Sequence, residues 1–546
     1  MKDLPIGNDD FKKIRRNNGY YIDKSELIEG ILNHRNTDVF LFTRPRRFGK
    51  SLNISMLDAF FNVEYKGNNW FQGLRIMNNP ECVKVMNTYP IVSLNFKGLN
   101  LDCMDSFLES FAFRMADVYA KHRYLSEAGN DCEMLKAFET IRCREGNRIE
   151  LERSLKLLTD VLKEYHGKEV IILVDEYDNP IQNSYGADIQ PDIINFMKNL
   201  LTNALKSNGS LEFGVITGVM QIAKESIFSG LNNLYVNNIF DRNFDECFGF
   251  TESEVRELLS YYGHPEKFNE CRAWYDGYTF GDTDVYNPWS LLNYVTRDFE
   301  PDTYWAGTSG NQIIQTLLDN ADDSVWNNLT ALSKRDTVIC ELDQYVVYSD
   351  IEHNSKAIYS IMAMSGYLKA KKTDYGYEIC IPNNEISYVY SNMVLNSIGR
   401  NDIWFRSSNL FKALQKGDTD YLEAGIHSLI QETISAKVLD SEHAYQAYLI
   451  GMMMGFCGDY EISGDRLETG DGFADILFRN LRGPGPNIIL ELKRSRSEDD
   501  MEKDARAAMD QILDRDYMHG MKGRTLLYGI SFFSKRPFII SEELDL

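Results

Sequence analysis

Nine cysteines in 546 residues form no C-x-x-C pair, and the histidines fall into no spacing that suggests zinc. The cysteines therefore read as small buried hydrophobes in a reducing compartment. A long apolar run is missing too. The longest, Tyr448 to Phe456, falls far short of the roughly 20 residues a membrane helix needs. The first residues, Met1-Lys2-Asp3-Leu4-Pro5, have no apolar signal character, and the expectation is a cytoplasmic protein. Basic charge is scarce: 58 Lys and Arg against 81 Asp and Glu leave a net charge of −23, which disfavours a large basic surface for nucleic acid. A local, salt-sensitive one is still allowed. There is no acidic tail and no internal repeat.

Apolar residues make up 43% of the chain and aromatics 12%, ample for packed cores. The length suggests about three or four domains. The chain is organised around Asp38-Val39-Phe40-Leu41-Phe42-Thr43, which reads as a short buried strand, followed by Arg44-Pro45-Arg46-Arg47-Phe48-Gly49-Lys50-Ser51. From Ser51 the apolar residues Leu52, Ile54, Met56, Leu57, Phe60 and Phe61 recur at helical spacing. A strand, a tight loop and Gly-Lys-Ser opening a helix is the layout of a phosphate-binding loop. Backbone N–H groups and the helix N-terminus attract phosphates, Lys50 reaches their terminal oxygens, and the Ser51 hydroxyl ligates Mg²⁺. The general pattern places glycine where this chain has Arg44, and the tripeptide alone would equally suit a basic strand-to-helix turn.

A second half is supplied by Glu169-Val170-Ile171-Ile172-Leu173-Val174 and the following Asp175-Glu176-Tyr177-Asp178. The apolar run predicts a fully buried strand of a parallel sheet, with its carboxylates at the end where such sheets place ligands. Asp175 would hold Mg²⁺ through water, and Glu176 would orient or deprotonate the attacking water. The expected nucleotide-binding residues are Arg46, Arg47, Phe48, Gly49, Lys50, Ser51 and Leu52, with Thr217 at the end of a fourth strand over 212–218. Further strands are predicted over 90–96 and Cys247–Phe250, and helices over 104–122, 149–166 and Pro191 to about Lys206. Thr251 and Glu254 form a capping box. Alternation of this kind predicts a doubly wound parallel sheet. A whole strand and helix between the phosphate loop and Asp175 point to the P-loop subclass with an added central strand. Tyr21 and Ile22, ahead of the loop, read as core packing.

Residues 251–400 are expected to be mostly helical, as a lid and a winged-helix-like middle region. Trp274-Tyr275-Asp276-Gly277-Tyr278 reads as a loop and Tyr286-Asn287-Pro288-Trp289-Ser290 as a helix start; Ser365–Leu368 and Ile381–Asn383 read as a small strand-bearing module. From about 405 the character changes. A helix carries Glu442, Tyr445, Tyr448, Leu449 and Met452, and a strand follows near Tyr460. Ala474-Asp475-Ile476-Leu477-Phe478-Arg479 and Ile488-Ile489-Leu490-Glu491-Leu492-Lys493 then make a hairpin. Pairing about its loop sets Asp475 opposite Glu491, give or take one residue. Lys493, two residues on, shares the face of Glu491. Two carboxylates and a lysine at one spot can bind Mg²⁺ and act on a phosphodiester, though such a hairpin can equally carry a surface Glu–Lys pair.

Together these stretches resemble the predicted AAA-ATPase-like proteins that carry a C-terminal PD-(D/E)xK nuclease-like domain. The resemblance also runs through Leu4-Pro5-Ile6-Gly7, Tyr21-Ile22-Asp23-Lys24, Phe228-Ser229-Gly230-Leu231-Asn232-Asn233, Gln511 and Tyr528-Gly529-Ile530. In that family the Arg44 departure is normal. Two other positions differ: the family usually has Arg before the strand aspartate, where this chain reads Gly472-Phe473-Ala474-Asp475, and His after the helix tyrosine, where it has Gln446. The resemblance implies a P-loop domain over 1–250, a lid and middle region over 251–400 and a nuclease-like α/β domain over 405–546. It further implies ATP and Mg²⁺ as cofactors, catalytic roles for Glu176, Asp475, Glu491 and Lys493, and metal contacts from Ser51, Asp175, Glu442, Asp475 and Glu491. A nucleotide is the first partner; DNA or RNA and a second copy of the chain are further partners this reading admits, and a membrane is not. Two functions compete: an ATPase coupled to a metal-dependent nuclease, or a nucleotide-dependent switch or scaffold whose C-terminal domain binds without cutting.

Overall fold

The computed structural model describes residues 1–34, 36–127, 132–221, 233–305, 314, 317–318, 323–344, 357–398, 403–434, 439, 441–453, 460–463, 468–469, 472–481, 485–515, 517–518 and 521–546. Phe228–Asn232 and Gly470-Asp471 lie outside them. By their contacts the residues divide into two compact units, Met1–Asn320 with Ile339–Asn383, and Ala321–Val338 with Asn384–Leu546.

The first unit is built on a five-stranded sheet: β1 (Val39–Thr43), β2 (Ile91–Asn95), β3 (Val170–Asp175), β4 (Leu211–Gly218) and β5 (Leu234–Asn237). The order is β2-β3-β4-β1-β5, and every neighbouring pair is parallel. β1 and β3 are buried along their whole length, as unbroken apolar runs covered on both faces must be. β4 lies between them, which is the added central strand of the sequence reading. Helix α1 (Lys50–Phe61) leaves β1; α2 (Met104–Lys121) follows β2; α3 (Arg148–His166) leads into β3 and α4 (Gln190–Leu205) into β4. α3 begins with an Asn147–Glu150 capping box and ends on Gly167 at φ 64°, a left-handed stop that favours glycine.

The fifth strand corrects the sequence reading. It is Leu234–Asn237, not Cys247–Phe250. Flanking asparagines made the true strand look like loop. At the predicted one, Gly249 has φ 81° and cannot extend the chain. Only Phe250–Thr251 is extended, as β6 of a small antiparallel sheet.

Among the described residues of 251–400 those in helices outnumber those in strands, as expected, and two small three-stranded sheets are set among the helices. Helices α5 (Glu252–Tyr261), α6 (Phe268–Tyr275) and α7 (Pro288–Thr296) surround the sheet β6-β8-β7, where β7 is Tyr278–Phe280 and β8 is Thr283–Tyr286. Trp274-Tyr275 thus ends a helix and Tyr278 opens a strand. The Thr251–Glu254 capping box is present at α5, and Asn287 caps α7. A second small sheet has the order β10-β11-β9, with β9 at Val338–Cys340, β10 at Lys369–Thr373 and β11 at Gly376–Cys380.

The second unit holds β12 (Tyr460–Ser463), the two-residue ribbon β13 (Glu468–Thr469) with β14 (Gly472–Phe473), then β15 (Ile476–Asn480), β16 (Asn487–Arg494), β17 (Arg524–Phe533) and β18 (Arg536–Asp545). The main sheet runs β12-β15-β16-β17-β18; only β16 and β17 are parallel. One face packs Ile488, Leu490 and Leu492 with Tyr445 and Leu449 of α8 (Glu442–Met453). The other packs Ile489 and Leu527 with Met509 and Ile512 of α9 (Met501–Asp514). The strand period of two assigns Glu491 and Lys493 to the α9 face. Gly529 is required there: a Cβ on it would stand 2.2 Å from the carbonyl oxygen of Ala505 in α9. Among the described residues no helix is long and apolar enough to cross a membrane.

Candidate functional site

The loop after β1 turns sharply back into α1, and Gly49 at φ 84° stands immediately before that helix with no side chain capping it. The amides of the first turn are left to other acceptors, which is what an anion site at a helix N-terminus requires. Arg47 also holds a left-handed φ of 71°, uncommon for a residue with a Cβ and typical of a loop held by its surroundings. Its guanidinium lies 4.2 Å from the Trp289 ring centroid.

The arginine in the glycine position has a structural explanation. Arg44 is fully buried and turned away from the loop cavity. It donates to Thr43 O (2.9 Å), to Asn237 O (3.0 Å) and to Asn237 Oδ1 (2.7 Å), and it lies over the rings of Phe248 and Phe280. It ties the end of β1 to the end of β5. Burial pushes its pKa down to about 10. Phe48, expected among the binding residues, packs between Tyr278 and Phe280 and does not line the cavity.

Lys50 donates to Arg44 O at 2.9 Å and Pro45 O at 2.8 Å. Burial pushes its pKa down to about 8, against the pull of Asp178, Asp175 and Glu176. Asp175, at the end of β3, gathers three donors: Ser51 Oγ at 2.7 Å, Thr217 Oγ1 at 2.5 Å and Asn95 Nδ2 at 2.9 Å. Asn95 was not singled out from the sequence, where one Asn at a strand end carries no signal. Glu176 has φ 52°, and burial followed by the Asp175 charge raises its pKa. Tyr177 and Asp178 serve the scaffold. The Tyr177 hydroxyl donates to Met220 O, and Asp178 accepts from Val219 N, Met220 N and Gln182 Nε2. Gly218 is needed beneath them, since a Cβ would meet the Tyr177 ring at 2.6 Å.

Arg46, Arg47, Gly49, Lys50, Ser51, Leu52 and Glu176 line one cavity of about 280 Å³. Its other wall comes from two distant stretches, Pro5 with Gly7–Asp9, and Pro288, Trp289 and Leu292. Of these stretches, the sequence reading placed Pro288 and Trp289 at a helix start in a lid over the nucleotide, and gave Gly7–Asp9 no site role. They are 280 residues apart in the chain, and only the fold joins them. Tyr21, by contrast, rests on Phe11 and Met56 and is no part of the lining.

In the second unit, Ile476 pairs with Leu490, so Asp475 faces Glu491. The Asp475 N–H donates to Glu491 Oε2 at 3.3 Å, and the Leu492 N–H donates to Asp475 Oδ2 at 2.7 Å. Lys493 Nζ lies 3.5 Å from Glu491 Oε1, which also accepts from Gln511 Nε2. Gln511 in turn reaches the Tyr517 hydroxyl, and Gln446 donates to the Asp475 carbonyl oxygen. Glu491 is buried; burial, then the Asp475 charge, pushes its pKa up to about 7, with Lys493 opposing. Glu442, expected as a third metal residue, accepts from the Arg494 N–H at 3.0 Å. Among the described residues no three His, Cys, Asp or Glu side chains are grouped to hold a metal.

Residues 5–228 match the family model described as predicted AAA-ATPase. That segment holds the Arg44–Ser51 loop, β3 with Asp175 and Glu176, and β4 with Thr217. The match suggests nucleotide binding, with ATPase activity as the family's chemistry, for that segment of the first unit; the second unit lies outside it. The chain is also 31% identical over 336 residues to a protein of Azotobacter chroococcum mcd 1 that carries the name "Uncharacterized protein in vnfD 5'region". The alignment covers 58% of this chain and 56% of that relative, so the chain spans little more than half the relative's length.

Proposed function

We propose that the first unit binds ATP with Mg²⁺ and hydrolyses it. The observation that carries this reading is the convergence on Asp175: the Ser51 hydroxyl and the Thr217 hydroxyl both donate to it, beside a cavity lined by Lys50 and Glu176. The donor set suits the cation, since a hydroxyl and a carboxylate 2.7 Å apart are hard oxygen ligands. Bound there, Mg²⁺ would offset charge on the phosphate oxygens. Lys50 pairs with the terminal phosphates, exchanging two loop carbonyls for a charged acceptor. Glu176 takes a proton from the attacking water, and burial, which raises its pKa, makes it a stronger base than an exposed carboxylate. The base of the nucleotide rests against Trp289, Leu292 and the Gly7–Asp9 turn, the wall opposite the phosphate loop. Titration of the full chain with ATP and Mg²⁺, followed by thermal stability and phosphate release, tests the reading; no stabilisation and no turnover would end it.

The second unit supports a further reading, a metal-dependent nuclease site at Asp475, Glu491 and Lys493, with DNA or RNA as substrate. Two facing carboxylates fit a divalent cation in kind but not in number, so no chemical step is assigned through one. The lack of a third ligand among the described residues favours the alternative, a switch or scaffold whose second unit binds without cutting. Mn²⁺ calorimetry beside a nuclease assay on single- and double-stranded DNA separates the two.

A further inference from the structure

Four cationic side chains line the cavity of the first unit: Arg46, Arg47, Lys50 and Lys97. Three are engaged. Arg46 reaches Gln182 Oε1, Arg47 lies on Trp289, and Lys50 holds the carbonyls of Arg44 and Pro45. Among the described residues the Lys97 ammonium takes no ion pair and no hydrogen bond. Its backbone, however, is fixed from both sides. The Lys97 N–H donates to Asn95 Oδ1 at 2.8 Å, while Arg114 donates to Asn95 O at 2.8 Å and to Lys97 O at 2.9 Å. Asn95 also donates through Nδ2 to Asp175. One amide side chain thus ties the carboxylate of β3 to the backbone that presents Lys97. The Lys97 charge also acts on the Glu176 carboxyl ahead of Lys50.

We propose that Lys97 is a catalytic residue supplied in cis, its ammonium stabilising charge on the terminal phosphate during hydrolysis. The proposal rests on the ATPase reading above. Water oxygen forms a bond to the terminal phosphorus, and the bond from that phosphorus to the bridging oxygen breaks. The electron pair leaves with the ADP oxygen, and the water proton passes to Glu176. Lys97 donates hydrogen bonds to the terminal oxygens as the transferring group separates. A cation that meets charge developing only in the transition state raises turnover more than affinity. An arginine from a partner subunit is the usual alternative source of that charge, and here the same chain carries it.

The test compares the full-length wild type with Lys97→Ala and Lys97→Arg. Lys97→Ala should lower kcat by about 100-fold or more, as loss of one fixed donor does, with ADP affinity changed less than about threefold. A binding readout independent of turnover uses ADP with fluoroaluminate, which mimics the transferring phosphate. Wild type should bind it at least about tenfold more tightly than ADP alone, and Lys97→Ala should lose that preference while Lys97→Arg keeps part of it. Mixing Lys97→Ala with Lys50→Ala should not restore turnover if the lysine acts within its own chain. If wild type takes up no nucleotide, the ATPase reading fails first. If wild type hydrolyses ATP and Lys97→Ala matches it in kcat and in fluoroaluminate preference, the assignment to Lys97 alone is wrong. Restored activity in the mixture overturns the cis placement.

Discussion

Ser51 and Asp175 stand 124 positions apart in the chain, yet the Ser51 hydroxyl donates to the Asp175 carboxylate at 2.7 Å. The bond exists because β1 and β3 flank β4 in one parallel sheet, which brings the first residues of α1 beside the end of β3. Sheet order, not sequence distance, builds the site.

Lys50→Ala should abolish stabilisation by ATP. A ligand at about 100 times its Kd raises wild-type stability by roughly 2.7 kcal/mol, and the mutant should gain close to none. Thermal melts of both proteins with and without ATP and Mg²⁺ make the comparison; equal gains would remove Lys50 from the site.

Glu176→Gln should keep ATP affinity and lose turnover by about 100-fold or more, the pattern of a group used as a general base. Equilibrium binding and steady-state phosphate release on the same preparation read it. Wild-type kcat in the mutant would mean the base lies elsewhere.

Nucleotide affinity should fall as pH rises through about 8, the value to which burial lowers Lys50. The sign follows from linkage: ATP binds the charged ammonium, which the free protein loses above that pH. In the unliganded chain the same group acts the other way. It stays protonated when unfolded up to about pH 10.5, so its contribution to stability rises between the two values. Binding isotherms near pH 7 and pH 9.5, roughly one unit either side of that value and beyond, should show weaker ATP binding at the higher pH.

Arg44→Gly, which restores the residue of the general phosphate-loop pattern, should lower stability by about 3 kcal/mol or more and leave Lys50 and Ser51 unimproved as ligands. The change empties a buried site and strips partners from Asn237 and the Thr43 carbonyl. Chemical denaturation with ATP titration measures both quantities. A glycine variant as stable as wild type would contradict the clamp between β1 and β5.

The Glu491 pair predicts a pH effect of the opposite kind. Its folded pKa is raised to about 7 from 4.5, so its stabilising contribution is complete below about 4.5 and is lost as pH rises through about 7. In chelator, the melting temperature of wild type relative to Glu491→Gln should fall across that window. If Asp475 and Glu491 share a cation, Mn²⁺ restores the difference at the upper end; absence of any Mn²⁺ effect there leaves the binding-module reading.

Much of this protein could be read from local pattern. The apolar runs of β1, β3 and β4 have no polar face, so they fit only strands covered on both sides. The change from that run to helical spacing at Ser51 marked the loop, and Thr251 with Glu254 marked the start of α5, because capping is decided within four residues. The opposition of Asp475 and Glu491 followed from counting residues about a hairpin. What the tertiary structure alone decided involves partners far apart in the chain. Leu234–Asn237 is a strand because an open edge of β1 accepts it, not because of its own polar-flanked sequence. Arg44 points into the core because Asn237 and two aromatic rings wait there. The wall formed by Gly7–Asp9 and Trp289, and the anchoring of Lys97 through Asn95 and Arg114, depend on long-range packing. Periodicity and capping are short-range and leave a trace in sequence. The meeting of distant side chains is set by sheet order and packing, which leave none.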